Sequence, residues 1–104
     1  MLRALFLSII LLFFSLLASA QTFSISGVVR DQKETLPGAA IYVSGYKIAT
    51  QTDNNGNFIL PNLKPGNYDI LVQMVGYLPF SKNIIIDNKA IKVDFLLKEN
   101  TVML

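Results

Sequence analysis

Lys64-Pro65-Gly66-Asn67-Tyr68-Asp69-Ile70-Leu71-Val72-Gln73-Met74-Val75 is the stretch that decides the fold. It opens on a turn, with Pro65 presetting φ and Gly66 following it. A period of two then takes over. Tyr68, Ile70, Val72 and Met74 share one face, and Asp69, Leu71, Gln73 and Val75 share the other. That is the pattern of a strand with one buried face. Gly76-Tyr77-Leu78-Pro79 ends it.

The same alternation runs outward in both directions. Upstream, Phe23, Ile25, Gly27 and Val29 alternate with Ser24, Ser26, Val28 and Arg30, and Ala39, Ile41 and Val43 alternate with Ala40, Tyr42 and Ser44. Downstream, Ile84-Ile85-Ile86 is a short β-branched run, and Ile91, Val93, Phe95 and Leu97 alternate with Lys92, Asp94, Leu96 and Lys98. Turn signals separate the runs. They are Leu36-Pro37-Gly38, Ser44-Gly45, Asp53-Asn54-Asn55-Gly56-Asn57 and Asp87-Asn88-Lys89. The spacing predicts about seven strands with no helical stripe after residue 20, hence an all-β, antiparallel sandwich with Greek-key links. Phe58 and Leu60 are expected to enter the core. Leu63 is expected to plug its open end beneath the Pro65-Gly66 turn. Tyr68 is placed to hydrogen-bond back across that turn.

The first twenty residues read differently. Met1-Leu2-Arg3 is a short positive start, Ala4 to Leu17 an apolar run broken only by Ser8 and Ser15, and Ala18-Ser19-Ala20 a small-residue triplet. This is the order of a secretory signal peptide, with cleavage expected after Ala20 and a mature chain beginning at Gln21. The rival is an uncleaved membrane anchor, but a spanning helix needs about 20 apolar residues and this run is shorter. The expected organisation is a signal segment over 1–20, a sandwich over 21–98 and a tail over 99–104, with no membrane span in the mature chain.

Composition excludes several functions. The 104 residues contain no Cys and no His, so disulfides, thiolate sites and His-based catalysis are out of reach. A net charge of +2, with Lys and Arg never adjacent, offers no footprint for nucleic acid. The acidic residues Asp31, Glu34, Asp53, Asp69, Asp87, Asp94 and Glu99 are scattered over turns and strand faces. Asp53, Asn55 and Asn57 alternate as oxygen ligands do in a calcium loop, but the sixth and twelfth positions are Phe58 and Lys64 instead of Gly and Glu. No metal or cofactor is expected, and no enzymatic activity.

Five segments in register resemble carboxypeptidase regulatory-like domains. Ile25-Ser26-Gly27-Val28-Val29-Arg30-Asp31 resembles their opening strand, and Leu36-Pro37-Gly38-Ala39-Ala40-Ile41-Tyr42-Val43 their second segment. Thr50-Gln51-Thr52-Asp53-Asn54-Asn55-Gly56-Asn57-Phe58, Leu63-Lys64-Pro65-Gly66-Asn67-Tyr68 and Val75-Gly76-Tyr77 follow in the order of that family. The resemblance implies a transthyretin-like sandwich. Such modules accompany metallocarboxypeptidases, and they form the N-terminal extension of many TonB-dependent outer-membrane receptors, directly after the signal peptide. The chain has this second layout, signal then module, and stops at Leu104 before any plug or barrel, which leaves open a truncated reading frame, a fragment or a free-standing module.

A non-catalytic accessory domain at the periplasmic or outer-membrane face, with a protein partner, is therefore the expected function. A free-standing interaction module is one alternative. A carbohydrate-binding module is the other, because related sandwiches bind starch. Tyr42, Tyr46, Tyr77 and Phe80 are the aromatics available to stack on a sugar; the competing reading is that these rings cap the core and sheet edges. Thr101-Val102-Met103-Leu104 reads as a frayed tail, a lead into a following domain, or a donated strand.

Overall fold

The computed structural model describes residues 2–18 and 21–101. The expected cleavage point after Ala20, and Val102 to Leu104 of the tail, lie outside the described residues. Leu2–Ala18 forms helix α1, built mainly from Leu, Ile, Phe and Ala, with Arg3, Ser8 and Ser15 among them and no acidic residue in its first turn. Among the described residues no helix is long and apolar enough to cross a membrane. The large apolar side chains between Leu2 and Leu11 are all exposed.

Eight strands follow: β1 (Phe23–Arg30), β2 (Ala40–Val43), β3 (Ile48–Gln51), β4 (Asn57–Leu63), β5 (Gly66–Gln73), β6 (Phe80–Ile86), β7 (Ile91–Lys92) and β8 (Phe95–Leu96). They form two sheets. One has the order β4-β1-β7, with β8 also on β1; the other has the order β3-β2-β5-β6. Only β2–β3 and β5–β6 are joined as hairpins within a sheet. Apart from the step from β7 to β8, which stays on β1, the remaining connections pass between sheets, and the non-sequential neighbours β1–β4 and β2–β5 pair antiparallel. The sandwich predicted from the alternation is thus the observed fold.

Two details differ from the prediction. The expected continuous last strand is broken at Val93-Asp94 into β7 and β8, and both pieces run parallel to β1. An all-antiparallel arrangement is corrected accordingly. The cause lies in Gly27, whose inward position carries no side chain. A Cβ there would run into the Val93 carbonyl oxygen, so the last strand can fold down onto β1 only above a glycine. Val93 N–H donates to the Ser26 carbonyl (2.8 Å), and the Asp94 carboxylate accepts from Val28 N–H (3.2 Å) across the break. The second difference is that β6 begins at Phe80, four residues before the isoleucine run. Its first half is exposed and therefore shows no apolar alternation.

The inward rows meet between the sheets. Ile25, Val29, Ile41, Leu60, Ile70, Val72, Ile86, Phe95 and Leu97 are almost fully buried, and Phe58, Leu63 and Tyr68 join them. Each such aliphatic or aromatic residue contributes about 1.5–3 kcal/mol when taken from water. Among the described side chains every core residue lies between Ile25 and Leu97, and none comes from Leu2 to Leu11 of α1.

The loops are closed by side chains. The Asp53 carboxylate accepts from the N–H groups of Asn55 and Asn57, both at 2.9 Å, beside Gly56 at φ 78°. Buried Thr52 accepts from Ala39 N–H (2.9 Å) and donates to the Leu36 carbonyl (2.5 Å), pinning the Pro37-Gly38 turn, where Gly38 has φ 78°. The Tyr68 hydroxyl donates to the Lys64 carbonyl (2.6 Å) across the Pro65-Gly66 turn.

Candidate functional site

Asp31 closes β1, and its carboxylate organises one end of the sandwich. Oδ1 accepts from the N–H groups of Lys33 and Glu34, each at 2.8 Å, which folds residues 31–34 into a tight turn. Oδ2 accepts from the Tyr77 hydroxyl at 2.7 Å. Tyr77 sits in the β5–β6 loop, where it pairs with Glu99 in an isolated antiparallel bridge. Leu78 N–H donates to the Lys98 carbonyl (2.8 Å), and Asn100 N–H to the Gly76 carbonyl (2.9 Å). The end of β1, the β5–β6 loop and the segment after β8 are thereby tied at one point.

The electrostatics follow from this geometry. The Tyr77 hydroxyl first, then the N–H groups of Glu34 and Lys33, hold the Asp31 carboxyl below its ordinary range. The same carboxylate pushes the Tyr77 hydroxyl up to about 12, with burial adding to it. Near neutral pH the acid is ionised and saturated with donors, and the phenol is protonated and committed. Such a pair holds a structure together and is poorly suited to moving protons.

A shallow cleft of about 290 Å³ opens beside it, lined by Asp31, Gln32, Lys33, Leu96, Leu97, Lys98 and Glu99. On the outer face of the β3-β2-β5-β6 sheet, Tyr42 is 41% exposed between two hollows. One, of about 460 Å³, includes Ala40, Gln73, Met74, Tyr77 and Pro79; the other, of about 290 Å³, includes Ala49, Thr50 and Gln51. Tyr42 and Tyr77 thus share a hollow.

The other two aromatics are elsewhere. Tyr46, in the β2–β3 turn, packs on Tyr68 with ring centroids 5.5 Å apart. Phe80 packs on Phe95 at 5.8 Å. A single aromatic platform of four rings is not formed. Among the described residues no cluster of three or more acidic side chains stands ready to hold a metal, and no buried side-chain polar atom lacks a partner.

The sequence motifs acquire geometric roles here. Asp31 and Tyr77 come from opposite ends of the motif set and are joined directly. Gly27, Gly38, Asp53, Gly56, Pro65 and Gly66 shape loops and close approaches, and Pro37 and Phe58 belong to the first crossover and the core. Gly76, at φ 89°, lets its loop meet Asn100. Thr52, Asp94 and Asn62 were not singled out by sequence. Thr52 carried a signal, a hydroxyl flanked by a turn motif; Asn62, at φ 61°, carried none.

Comparison with known proteins agrees with this architecture. Residues 25–104 match the model of the CarboxypepD_reg-like domain. The whole chain is 33% identical to part of the TonB-dependent receptor SusC of Bacteroides thetaiotaomicron, and it spans 10% of that receptor's length. Among solved structures, a chain of a type II cohesin–X-dockerin complex from Acetivibrio cellulolyticus superposes with a TM-score of 0.66 at 18% identity, over 74% of this chain and 58% of the other. A 3-chlorocatechol 1,2-dioxygenase from Rhodococcus opacus gives 0.64 at 12% identity, over 79% of this chain and 62% of that one. These two share the fold alone, which occurs both in a cohesin–X-dockerin complex and in an enzyme. By the match over residues 25–104, the chain belongs to the CarboxypepD_reg-like domain family.

Proposed function

We propose that the protein is an exported, non-catalytic module that engages a protein partner at the cell envelope, as an N-terminal accessory domain of a TonB-dependent receptor does. The observation that carries this reading is the similarity to SusC along the entire chain, leader included. The Asp31–Tyr77 pair supports the absence of chemistry, since both carboxylate oxygens are occupied by donors and the phenol is committed to one of them. Leu2–Ala18 supports an export leader, being wholly uncharged after Arg3, with its large apolar side chains from Leu2 to Leu11 exposed. On this reading residues 1–20 are removed after Ala20 and residues 21–98 form the working domain.

The test is expression with a C-terminal tag in a bacterium that exports such leaders. The envelope fraction should yield a protein whose N-terminus is Gln21, with no peptide or ester hydrolysis above background. Unprocessed chain confined to the cytoplasm contradicts the export claim. Turnover that is lost on Asp31→Asn contradicts the non-catalytic one.

A second reading, glycan binding, is favoured by one observation. Exposed Tyr42 shares a hollow with Tyr77 and has the amides of Gln51 and Gln73 on its flanks. Retention on immobilised starch that disappears in Tyr42→Ala supports it; equal elution of both proteins removes it.

A further inference from the structure

The Asp53–Asn57 turn carries a chemistry that the proposed function does not use. Of the asparagines in the chain, Asn55 alone precedes a glycine; the others precede Asn, Phe, Leu, Tyr, Ile, Lys or Thr. An asparagine side-chain amide is open to attack by the backbone nitrogen of the next residue, and a side chain on that residue hinders the approach. Glycine leaves it clear. Asn55 is exposed in its turn, within reach of water.

The folded loop opposes the attack at each atom it needs. Gly56 N–H, the nucleophile, donates to the Asp53 carbonyl (3.0 Å). The Asp53 carboxylate holds the N–H groups on either side, those of Asn55 and Asn57, both at 2.9 Å. Its charge also disfavours the loss of a neighbouring amide proton. Beyond Gly56 the chain is fixed as well, because the Gly56 carbonyl accepts from Val29 N–H (2.9 Å). Gly56 is buried, and a Cβ on it would meet Thr35 at 2.8 Å and the Val29 carbonyl oxygen at 2.9 Å. Turning the Asn55-Gly56 peptide toward the Asn55 side chain therefore requires the loop to open.

We propose that Asn55 is a site of spontaneous covalent modification, conversion to aspartate and isoaspartate, and that Asp53 sets its rate by holding the loop closed. The step balances with water alone. Gly56 N bonds to Asn55 Cγ, the Cγ–Nδ2 bond breaks, and the Gly56 amide proton leaves with Nδ2 as ammonia. Water then opens the cyclic imide. Opening at Cγ gives aspartate. Opening at the Asn55 main-chain carbonyl gives isoaspartate, in which the chain runs through Cγ. Each product adds a negative charge, and isoaspartate also lengthens the main chain by a carbon. Gly56 has no slack for that carbon against Thr35 and Val29. The Val29–Gly56 bond is lost, and Thr35, which bridges to Arg30, is displaced. The modification thus loosens the end of β1, next to Asp31.

The test uses the tagged full-length chain as recovered from the producing cells. It is incubated at neutral pH, digested and read by mass spectrometry for the gain of a single mass unit. Unfolded in urea, the chain should convert faster at Asn55 than at any other asparagine. Asp53→Ala, which removes both carboxylate bonds, should convert at Asn55 at least about tenfold faster than the folded parent. Should that variant fail to fold, Asp53→Asn, which keeps an acceptor and loses the charge, should convert at least about threefold faster. Ile70→Ala, a core change on β5, should leave the folded rate within about twofold, because the loop opens locally. Amide exchange at Val29 should quicken in the isoaspartate fraction. Faster conversion at another asparagine in urea overturns the site. Unchanged rates in the Asp53 variants, or equal acceleration by Ile70→Ala, overturn the gate. Undiminished protection of Val29 overturns the loosening of β1.

Discussion

Gly27→Ala adds one methyl group where the fold leaves no room. The new Cβ would run into the Val93 carbonyl oxygen and approach the Phe58 ring at 3.3 Å. The ring can yield, but the carbonyl belongs to the backbone of the break between β7 and β8. Moving it pulls Val93 N–H from the Ser26 carbonyl, a bond of 2.8 Å. Overpacking of this kind costs about 1–3 kcal/mol. Losing the hydrogen bond adds about 0.5–1.5 kcal/mol. A combined loss of about 3 kcal/mol lowers the melting temperature of so small a domain by about 12–24 °C. Gly38→Ala is the control. It meets nothing within 4 Å, and its cost comes from φ 78° alone, about 1–2 kcal/mol. Thermal melts of the three proteins, followed by circular dichroism, give the comparison. Hydrogen exchange should also show Val93 deprotected in Gly27→Ala. A Gly27→Ala protein that melts no lower than Gly38→Ala, with Val93 still protected, refutes the argument that the last strand folds down onto a glycine.

Three further outcomes follow from the same contacts. Asp31 is held below its unfolded value, so its contribution stands above about pH 4 and is lost as pH falls through the lower folded value. Tyr77 is held above its unfolded value, so its contribution stands below about pH 10 and is lost as pH rises toward about 12. Melts across pH should show both limbs, and Tyr77→Phe should flatten the alkaline limb and shallow the acid one. Thr52→Val leaves the Ala39 N–H and the Leu36 carbonyl unpaired inside the protein and should cost about 2–4 kcal/mol in urea titrations. Leu60→Ala empties a fully buried site between the sheets and should cost about 2–5 kcal/mol by the same assay.

The inward rows were legible because alternation reports burial directly. Ile25, Val29, Ile41, Val43, Tyr68, Ile70, Val72, Phe95 and Leu97 all sit where the period of two places them. The turns were legible from Pro65-Gly66 and Asp53 to Gly56, whose backbone demands are local. What stayed hidden depends on partners distant in sequence. The parallel pairing of β7 and β8 leaves no mark in their own residues, since it is decided by an absent side chain sixty-six positions upstream of Val93, at Gly27. The exposed half of β6 has no buried face to print an alternation. The Asp31–Tyr77 bond joins two motif residues forty-six positions apart, and neither motif points to the other. Of the four aromatics considered for ligand contact, composition could not tell which are engaged. Packing commits Tyr46 and Phe80 to ring contacts and leaves Tyr42 outward.

The most direct test concerns residues 21–104 alone, because among the described side chains the core runs from Ile25 to Leu97. Amide hydrogen exchange on that purified fragment, read residue by residue, should protect β1, β2 and β5 most strongly and together, as the central strands of two sheets sharing one core. Uniformly fast exchange, or slow amides at helical spacing instead of in these strands, would contradict the account.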